Sequence, residues 1–237
     1  MPGSQRWQRR SKSRCKGSAV ALHIWGRLSS INVRKVIWAA QELGVPFTRT
    51  DAGAAFGVTK TPEYLQRNPN ALVPLMEDDG FVLWESNAIV RYLCAKHSTG
   101  QLYPADLQER FDAERWMDWQ QTTFNSAGRE SFIQLIRTPP EARKPEAVRA
   151  SVAATARVMA MLDAHLAGRV WMQGERFGMA DIPLGCEMHR WWGMPDAGFA
   201  AIGAPRKPLA DYPNVARWWT AIQARPGIRD VLDQPLA

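Results

Sequence analysis

The pattern of apolar and polar positions changes character near Gly100. Before this residue, short runs of alternating apolar and polar residues are typical of strands, and the stretches between them carry apolar residues at helical spacing. The pair Asp79-Gly80 separates two of the alternating runs and predicts a tight hairpin turn. After Gly100 only long helical periodicities follow. The predicted strands span 20–25, 46–51, 73–77 and 81–84, and the predicted helices span 33–43, 62–67, 86–96, 106–136, 145–166, 179–192 and 213–224.

The order of these elements predicts two domains. A strand, a helix and a second strand form a parallel crossover unit, and the hairpin that follows adds two antiparallel strands. We therefore expect an α/β domain with a four-stranded mixed sheet over residues 19–98, a linker over 99–105 and an all-helical domain over 106–237. Residues 1–18 contain six basic side chains, no acidic one and a single large apolar one, so they predict a disordered basic tail.

The composition is that of a globular protein. Hydrophobic residues make up 46% of the 237 positions and charged residues 22%, and no apolar run approaches the roughly 20 residues that span a bilayer. The formal net charge is +7, but six positive charges lie in the basic tail, which leaves +1 for the rest of the chain. Because so neutral a body offers no extended field for phosphate groups, neither nucleic acid nor a membrane is an expected partner.

The cysteines give no sign of a disulfide framework or a zinc site. Cys15, Cys94 and Cys186 are odd in number, and no two of them are close in sequence. The basic tail has neither the amphipathic face of an organelle-targeting segment nor the apolar core of a secretory signal. The sequence therefore predicts a reducing, cytoplasmic location and no metal.

Four separated motifs resemble those of the cytosolic glutathione transferases. They are SINVRKV at 30–36, NPNALVPL at 68–75, WESNAI at 84–89 and ADIPLG at 180–185. Each motif alone is weak, but their order and spacing are specific, and the resemblance covers nearly the whole chain from Val20 onward. They are most similar to bacterial, serine-using members, either theta-like or nu-like. The resemblance implies a thioredoxin-like first domain, an all-helical second domain, glutathione as co-substrate and a homodimer.

The resemblance assigns the central chemistry to a serine at the start of the first helix. Only the thiolate form of glutathione is a competent nucleophile, so the enzyme has to stabilise a sulfur anion. Ser30 matches the family's catalytic hydroxyl, Ser29 is the alternative donor, and Asn32 supplies a second one. Without the other motifs, a turn that caps the helix would be the preferred interpretation of these three residues.

Three further segments correspond to the family's glutathione contacts. Val73 and Pro74 match a cis peptide that turns the Val73 backbone outward to pair with an extended peptide, although an ordinary proline at the start of a strand would fit the composition. Glu85 and Ser86 match the pair that receives the γ-glutamyl end, and Ser86 alone would also serve as a plain helix cap. Lys60 resembles the basic residue that meets the glycyl carboxylate.

The sequence departs from the family pattern at Leu72, where many relatives place Lys or Gln beside the glycyl end. This leaves more of that contact to Lys60. In the helical domain, Trp119 with Gln120 and Thr123 is the candidate wall of an apolar acceptor pocket. Asp181 is interpreted as a structural carboxylate.

These features predict a glutathione transferase that conjugates the glutathione thiolate to a small hydrophobic electrophile. Two alternatives remain open. One is a glutathione-dependent disulfide or peroxide reductase, because the Ser-x-Asn motif also suits the nu-like group. The other is a non-catalytic module of the same fold that only mediates assembly.

Overall fold

A computed structural model describes residues 22–236. The basic tail, Cys15 and the first two residues of the first predicted strand lie outside this range. The predicted fold class is confirmed, with a mixed sheet and helices followed by a helical domain. No helix in the described range is both long and apolar enough to cross a bilayer.

The sheet has four strands in the order β2-β1-β3-β4. They are β1 (Leu22–Trp25), β2 (Phe47–Thr50), β3 (Leu75–Asp78) and β4 (Phe81–Trp84). Strand β1 pairs parallel to β2 and antiparallel to β3, and β3 pairs antiparallel to β4 across the predicted Asp79-Gly80 turn. This topology follows directly from one crossover unit and one hairpin.

Three helices cover the sheet: α1 (Ile31–Glu42), α2 (Pro62–Arg67) and α3 (Ser86–His97). Helix α1 packs against α3 on one side and against the helical domain on the other. It therefore contacts both halves of the molecule, as α3 does through Asn87, which donates to the Met117 carbonyl at 2.8 Å.

The helical domain begins with one long helical stretch that changes its hydrogen bonding twice. Helix α4 (Leu107–Trp119) continues through a π-helical segment at Gln120–Phe124 into α5 (Asn125–Phe132) and a second π-helical segment at Ile133–Arg137. The apolar periodicity predicts the continuous helix but not these two widened turns, which often occur at functional sites. The remaining helices are α6 (Pro145–His165), α7 (Asp181–Gly193), α8 (Asp196–Ala201) and α9 (Pro213–Gln223).

Helices α1 and α7 approach closely around a tryptophan. Trp38 of α1 is fully buried, and a Cβ on Gly185 of α7 would lie 2.8 Å from its ring. Asp181, at the start of α7, accepts hydrogen bonds from the Trp218 indole at 2.7 Å and from two backbone N–H groups, those of Met172 and Gly178. Burial nonetheless raises the pKa of Asp181 to about 6. These contacts confirm its structural role.

A buried polar network lies behind α1. Lys35 is fully buried, and its ammonium donates to Gln120 Oε1 at 2.8 Å and to Gln121 Oε1 at 3.0 Å. Gln120 in turn donates to Glu187 Oε2 at 2.7 Å, and the other oxygen of Glu187 accepts from Arg190. Burial lowers the pKa of Lys35 to about 8, so a proton is held less firmly here than on an exposed lysine.

Replacing Lys35 with Met should change how the free energy of unfolding depends on pH. Between about pH 8 and the ordinary lysine value of 10.5, the unfolded chain holds a proton that the folded chain has released. The stability of the unmodified protein should therefore rise with pH relative to the Lys35→Met variant, by up to about 1.4 kcal/mol per pH unit.

Denaturant unfolding of both proteins between pH 7 and pH 10 measures this difference. Burial raises the pKa of Cys94 and of Cys186, which gives the opposite slope, but both thiols are present in both proteins. The exposed Lys207→Met variant is the control and should show no such divergence from the unmodified protein. A constant difference across the range would contradict the assignment to Lys35.

Candidate active site

The N-terminus of α1 carries a serine whose hydroxyl is not used by the helix. Ser30 occupies the N-cap position with an extended backbone (φ −88°, ψ 121°), yet its side chain makes no capping hydrogen bond. An N-cap serine normally accepts from the N–H groups of the first turn. The capping interpretation of Ser30 is therefore not realised, and Ser30 lines a cavity of about 470 Å³ together with Ser29 and Asn32.

Hydrogen bonds from two side chains hold the loop before Pro74 in place. The Val73-Pro74 peptide is cis, as the resemblance implied. The carbonyl of Leu72 accepts hydrogen bonds from the buried Tyr64 hydroxyl at 2.6 Å and from Asn68 Nδ2 at 2.9 Å. Among residues 22–236, the backbone N–H and C=O of Val73 make no hydrogen bond. They are thus open to an extended peptide lying in the cavity, which Val73 lines.

A smaller cavity of about 100 Å³ adjoins the first one. Glu85, Ser86 and Pro74 line it, and it shares Asn32 and Val73 with the larger cavity. The two cavities form one groove that runs from the start of α1 to the start of α3.

The start of α3 differs from the expected cap. Ser86 is the first helical residue, and Glu85 takes the N-cap position with φ +73° and ψ 110°. A positive φ is uncommon for a side chain of this size, and such strain clusters at functional sites. The carboxylate of Glu85 makes no capping hydrogen bond, so it is free to meet a cation in the smaller cavity while the helix N-terminus favours an anion.

The structure does not bring Lys60 to this groove. Lys60 is exposed and lines neither cavity, whereas its neighbour Thr59 lines the larger one. Leu72, at 65% exposure, lines both cavities without offering a polar side chain. The basic residue that lines the larger cavity on this side is Arg27, which the sequence analysis did not single out.

The wall contributed by the helical domain also differs from the expected one. Trp119 packs its ring edge-on against Trp116, with ring centroids 4.9 Å apart, and does not line the cavity. Thr123 is absent from the wall as well, and Gln120 belongs to the buried network behind α1. The lining residues of the helical domain come from α5, from the π-helical segment that follows it and from α7: Asn125, Arg129, Phe132, Ile133, Arg137, Cys186, His189 and Arg190.

Two titratable groups of this wall are held uncharged. Burial raises the pKa of the Cys186 thiol to about 12, so it remains protonated and a poor nucleophile at neutral pH. Burial, followed by the charge of Arg34, lowers the pKa of His189 to about 4. His189 Nε2 accepts a hydrogen bond from the Arg34 guanidinium, which occupies that nitrogen. Neither side chain is placed to replace a serine at the start of α1.

Three features define a class of two-domain transferases: the thioredoxin-like sheet, the helical domain and the groove between the N-termini of α1 and α3. Comparison with known proteins gives the family. Residues 20–95 match the family model described as "Glutathione S-transferase, N-terminal domain", and residues 127–226 match "Glutathione S-transferase, C-terminal domain". The chain belongs to the glutathione S-transferase family and is an enzyme of this type.

Individual relatives agree with this assignment. The chain is 38% identical to glutathione S-transferase GstB of Escherichia coli over 90% of its own length and 99% of that protein. It superposes with a TM-score of 0.84 on the glutathione-bound theta class enzyme of Xanthomonas axonopodis pv. citri, at 38% identity over 92% of this chain and all of that one. It is also 31% identical to elongation factor 1-gamma 1 of rice, matching 90% of this chain but only 48% of that protein.

Proposed function

We propose that this protein binds glutathione along the groove, holds its sulfur as a thiolate near Ser30 and conjugates it to an electrophile in the larger cavity. The observation that carries the proposal is Ser30, which lies at the N-terminus of α1 and lines this cavity while its hydroxyl makes no capping hydrogen bond. A serine that only capped the helix would accept from its first turn.

The groove offers complementary groups for three parts of glutathione. Its γ-glutamyl end carries an ammonium and a carboxylate, which suit the free carboxylate of Glu85 and the N-terminus of α3 with Ser86. Its cysteinyl backbone pairs with the open N–H and C=O of Val73 beside Pro74. This arrangement directs the thiol toward Ser30 and Asn32, which line the larger cavity.

The chemical gain comes from stabilising the anion. A free thiol has a pKa near ~8.5, so only a few per cent of it is ionised at neutral pH. A hydroxyl that donates to the thiolate contributes roughly 1.5–3 kcal/mol, or about one to two pKa units. The positive end of α1 adds a smaller contribution of the same sign. Most of the bound thiol is then ionised at pH 7.

Calorimetric titration with glutathione, followed by a panel of electrophiles, tests the proposal. The panel contains an aryl halide, an epoxide, a hydroperoxide and a glutathionylated disulfide. We expect glutathione binding and turnover of a halide or epoxide. Turnover of only the hydroperoxide or the disulfide would assign the site to reduction. Undetectable glutathione binding at millimolar concentration would overturn the proposal and favour a non-catalytic module of the same fold.

We further propose a homodimer and a cytoplasmic location. Large apolar side chains remain exposed: Leu107 and Phe111, one turn apart on α4, are each 60% exposed, and Phe81 of β4 is 49% exposed. Surfaces of this kind often mark contacts between subunits. Sedimentation analysis should give twice the chain mass, and a monomer at micromolar concentration would contradict the dimer. Within residues 22–236, Cys94 and Cys186 form no disulfide, which suits a reducing compartment, and cell fractionation tests the location.

A further inference from the structure

The larger cavity has a strongly one-sided charge. Within the described range, no aspartate or glutamate lines it, although the chain outside the basic tail is almost neutral. Five arginines line it: Arg27, Arg34, Arg129, Arg137 and Arg190. Such an excess of one sign in a concave site attracts ligands of the opposite charge.

Two of these arginines already have partners. Arg34 donates to the backbone carbonyls of Leu28, Gln234 and Pro235 at 2.6, 3.0 and 2.6 Å, and also to His189. Arg190 forms an ion pair with Glu187 behind the cavity. Glu187 balances the charge of Arg190, whereas Arg34 keeps its positive charge because its partners are neutral. The donors of both residues are engaged by the fold, so neither is the first candidate to bind a ligand.

The other three, Arg27, Arg129 and Arg137, form what we call the arginine cluster. None of them makes a side-chain hydrogen bond or an ion pair with any other residue between 22 and 236. The Arg137 guanidinium lies 4.8 Å from the centre of the Phe132 ring. Burial, together with the charges of Arg27, Arg190 and Arg129, lowers the pKa of Arg137, so these cations lie close enough to repel one another. A bound anion would relieve this repulsion.

A negative group in this cavity could belong to glutathione or to the electrophile, and the three arginines come from different parts of the cavity wall. Arg27 lies on the glutathione side, with its NH1 atom 2.8 Å from the point that a Cβ on Gly53 would occupy. Arg129 and Arg137 belong to the helical domain, and the apolar side chains of Phe132 and Ile133 line the same wall. With spacings of four residues, Arg129, Ile133 and Arg137 follow one face of the helical stretch.

We propose that the electrophile accepted by this cavity is amphipathic and carries an anionic group, with its apolar body against Phe132 and Ile133 and its negative group between Arg129 and Arg137. This inference rests on the proposed function and replaces the small hydrophobic electrophile expected from the sequence with an organic anion, such as a carboxylate. A charged group would bind both arginines through charge-assisted hydrogen bonds.

A benzylic bromide illustrates the reaction. The glutathione thiol loses its proton to solvent on binding, and the thiolate sulfur then attacks the benzylic carbon. A C–S bond forms while the C–Br bond breaks, and bromide leaves with the bonding electron pair. The arginines take no part in this exchange. They hold the far end of the electrophile and so contribute to its binding and orientation.

The test compares 4-(bromomethyl)benzoate with its methyl ester, which has a similar shape but no charge. At saturating glutathione, we expect kcat/KM, after correction for the uncatalysed rates, to favour the anion by about tenfold. Arg137→Gln and Arg129→Gln should each reduce this preference by about three- to tenfold, since partly exposed pairs are weaker. Arg157→Gln removes an exposed arginine that does not line the cavity, and it should leave the preference unchanged. Added salt should also reduce the preference.

A binding measurement keeps the inference testable without turnover. Calorimetry compares S-(4-carboxybenzyl)glutathione with its methyl ester, and the charged conjugate should bind about tenfold more tightly to the unmodified protein. Equal affinities would overturn the inference. If the charged conjugate binds more tightly but neither bromide reacts, the proposed conjugation fails while the anion site stands.

The KM for glutathione shows whether Arg129 and Arg137 bind the carboxylate of the electrophile or the glycyl carboxylate of glutathione. It should not change in Arg129→Gln or Arg137→Gln. A rise in this KM with both bromides, without a change in their ratio, would assign these arginines to the glycyl carboxylate of glutathione and overturn the inference.

Discussion

Ser30→Ala is expected to slow glutathione conjugation roughly ten- to a hundredfold. The substitution removes a hydrogen bond to the thiolate that contributes about 1.5–3 kcal/mol, so the pKa of bound glutathione should rise by about one to two units. The loss should be largest near neutral pH and should shrink as the pH rises above the new pKa. Ultraviolet absorbance of the bound thiolate, followed as a function of pH, measures this shift directly.

The structure supplies the controls for this experiment. Because the Ser30 hydroxyl makes no capping hydrogen bond, Ser30→Ala should change the free energy of unfolding by less than the ~1 kcal/mol typical of a lost N-cap. Ser29 lines the same cavity and offers the same hydroxyl, so Ser29→Ala is the matched comparison and should have a much smaller effect. The opposite ranking would assign the sulfur contact to Ser29. An unchanged pKa in both variants would contradict hydroxyl stabilisation altogether.

Glu85→Gln is expected to weaken glutathione binding by about 2 kcal/mol, or roughly thirtyfold. A charged partner for the γ-glutamyl ammonium is lost, and the amide that replaces it leaves that ammonium without a counter-charge. The variant retains the Cβ and the shape of the side chain, so the backbone strain at φ +73° should stay the same. Calorimetric titration gives the affinity.

Stability measurements separate this binding role from a structural one. The Glu85 carboxylate makes no capping hydrogen bond, and the unfolding midpoint should therefore change little in Glu85→Gln. The matched control is Glu141→Gln, which removes the same charge from an exposed residue that lines neither cavity. A lower midpoint with unchanged glutathione affinity would contradict the binding role.

Much of the fold could be predicted from the sequence because its signals are local. The Asp79-Gly80 turn set the hairpin, and helical periodicity located α1 and α6 to within a few residues. The two π-helical segments could not be predicted in this way, because each covers only five residues, which are too few to establish a separate periodicity. Helix α8 was missed since its six residues lie in a stretch rich in Gly and Pro.

The candidate site was predictable where a motif carried it. The groove brings together Ser30, Asn32, Val73, Pro74, Glu85 and Ser86, and their roles toward glutathione stay predictions. Lys60 lies in a loop whose path no local pattern determines. Trp119 was expected in the acceptor wall because its helix can face the first domain, but Trp119 packs against Trp116 and Phe124 and does not line the cavity.

The arginine cluster escaped the sequence analysis for a different reason. A net charge is a sum over the chain and does not show where the charges lie. The chain outside the basic tail is nearly neutral, yet its fold can bring cations that are distant in sequence into one cavity. Arg27 is more than a hundred positions from Arg137, and only the fold brings them to one cavity. The spacing of Arg129, Ile133 and Arg137 was the one available signal, since it repeats every four residues along a predicted helix.

The positive φ of Glu85 predicts a trade-off between fold stability and glutathione binding in laboratory evolution. Glycine adopts a φ of +73° without the strain that a Cβ imposes, so Glu85→Gly should stabilise the fold by about 1 kcal/mol. A selection for heat resistance alone would then favour glycine at this position and discard the carboxylate that the proposed glutathione contact requires. Libraries screened for thermostability should therefore hold residue 85 constant or be screened for glutathione binding in parallel.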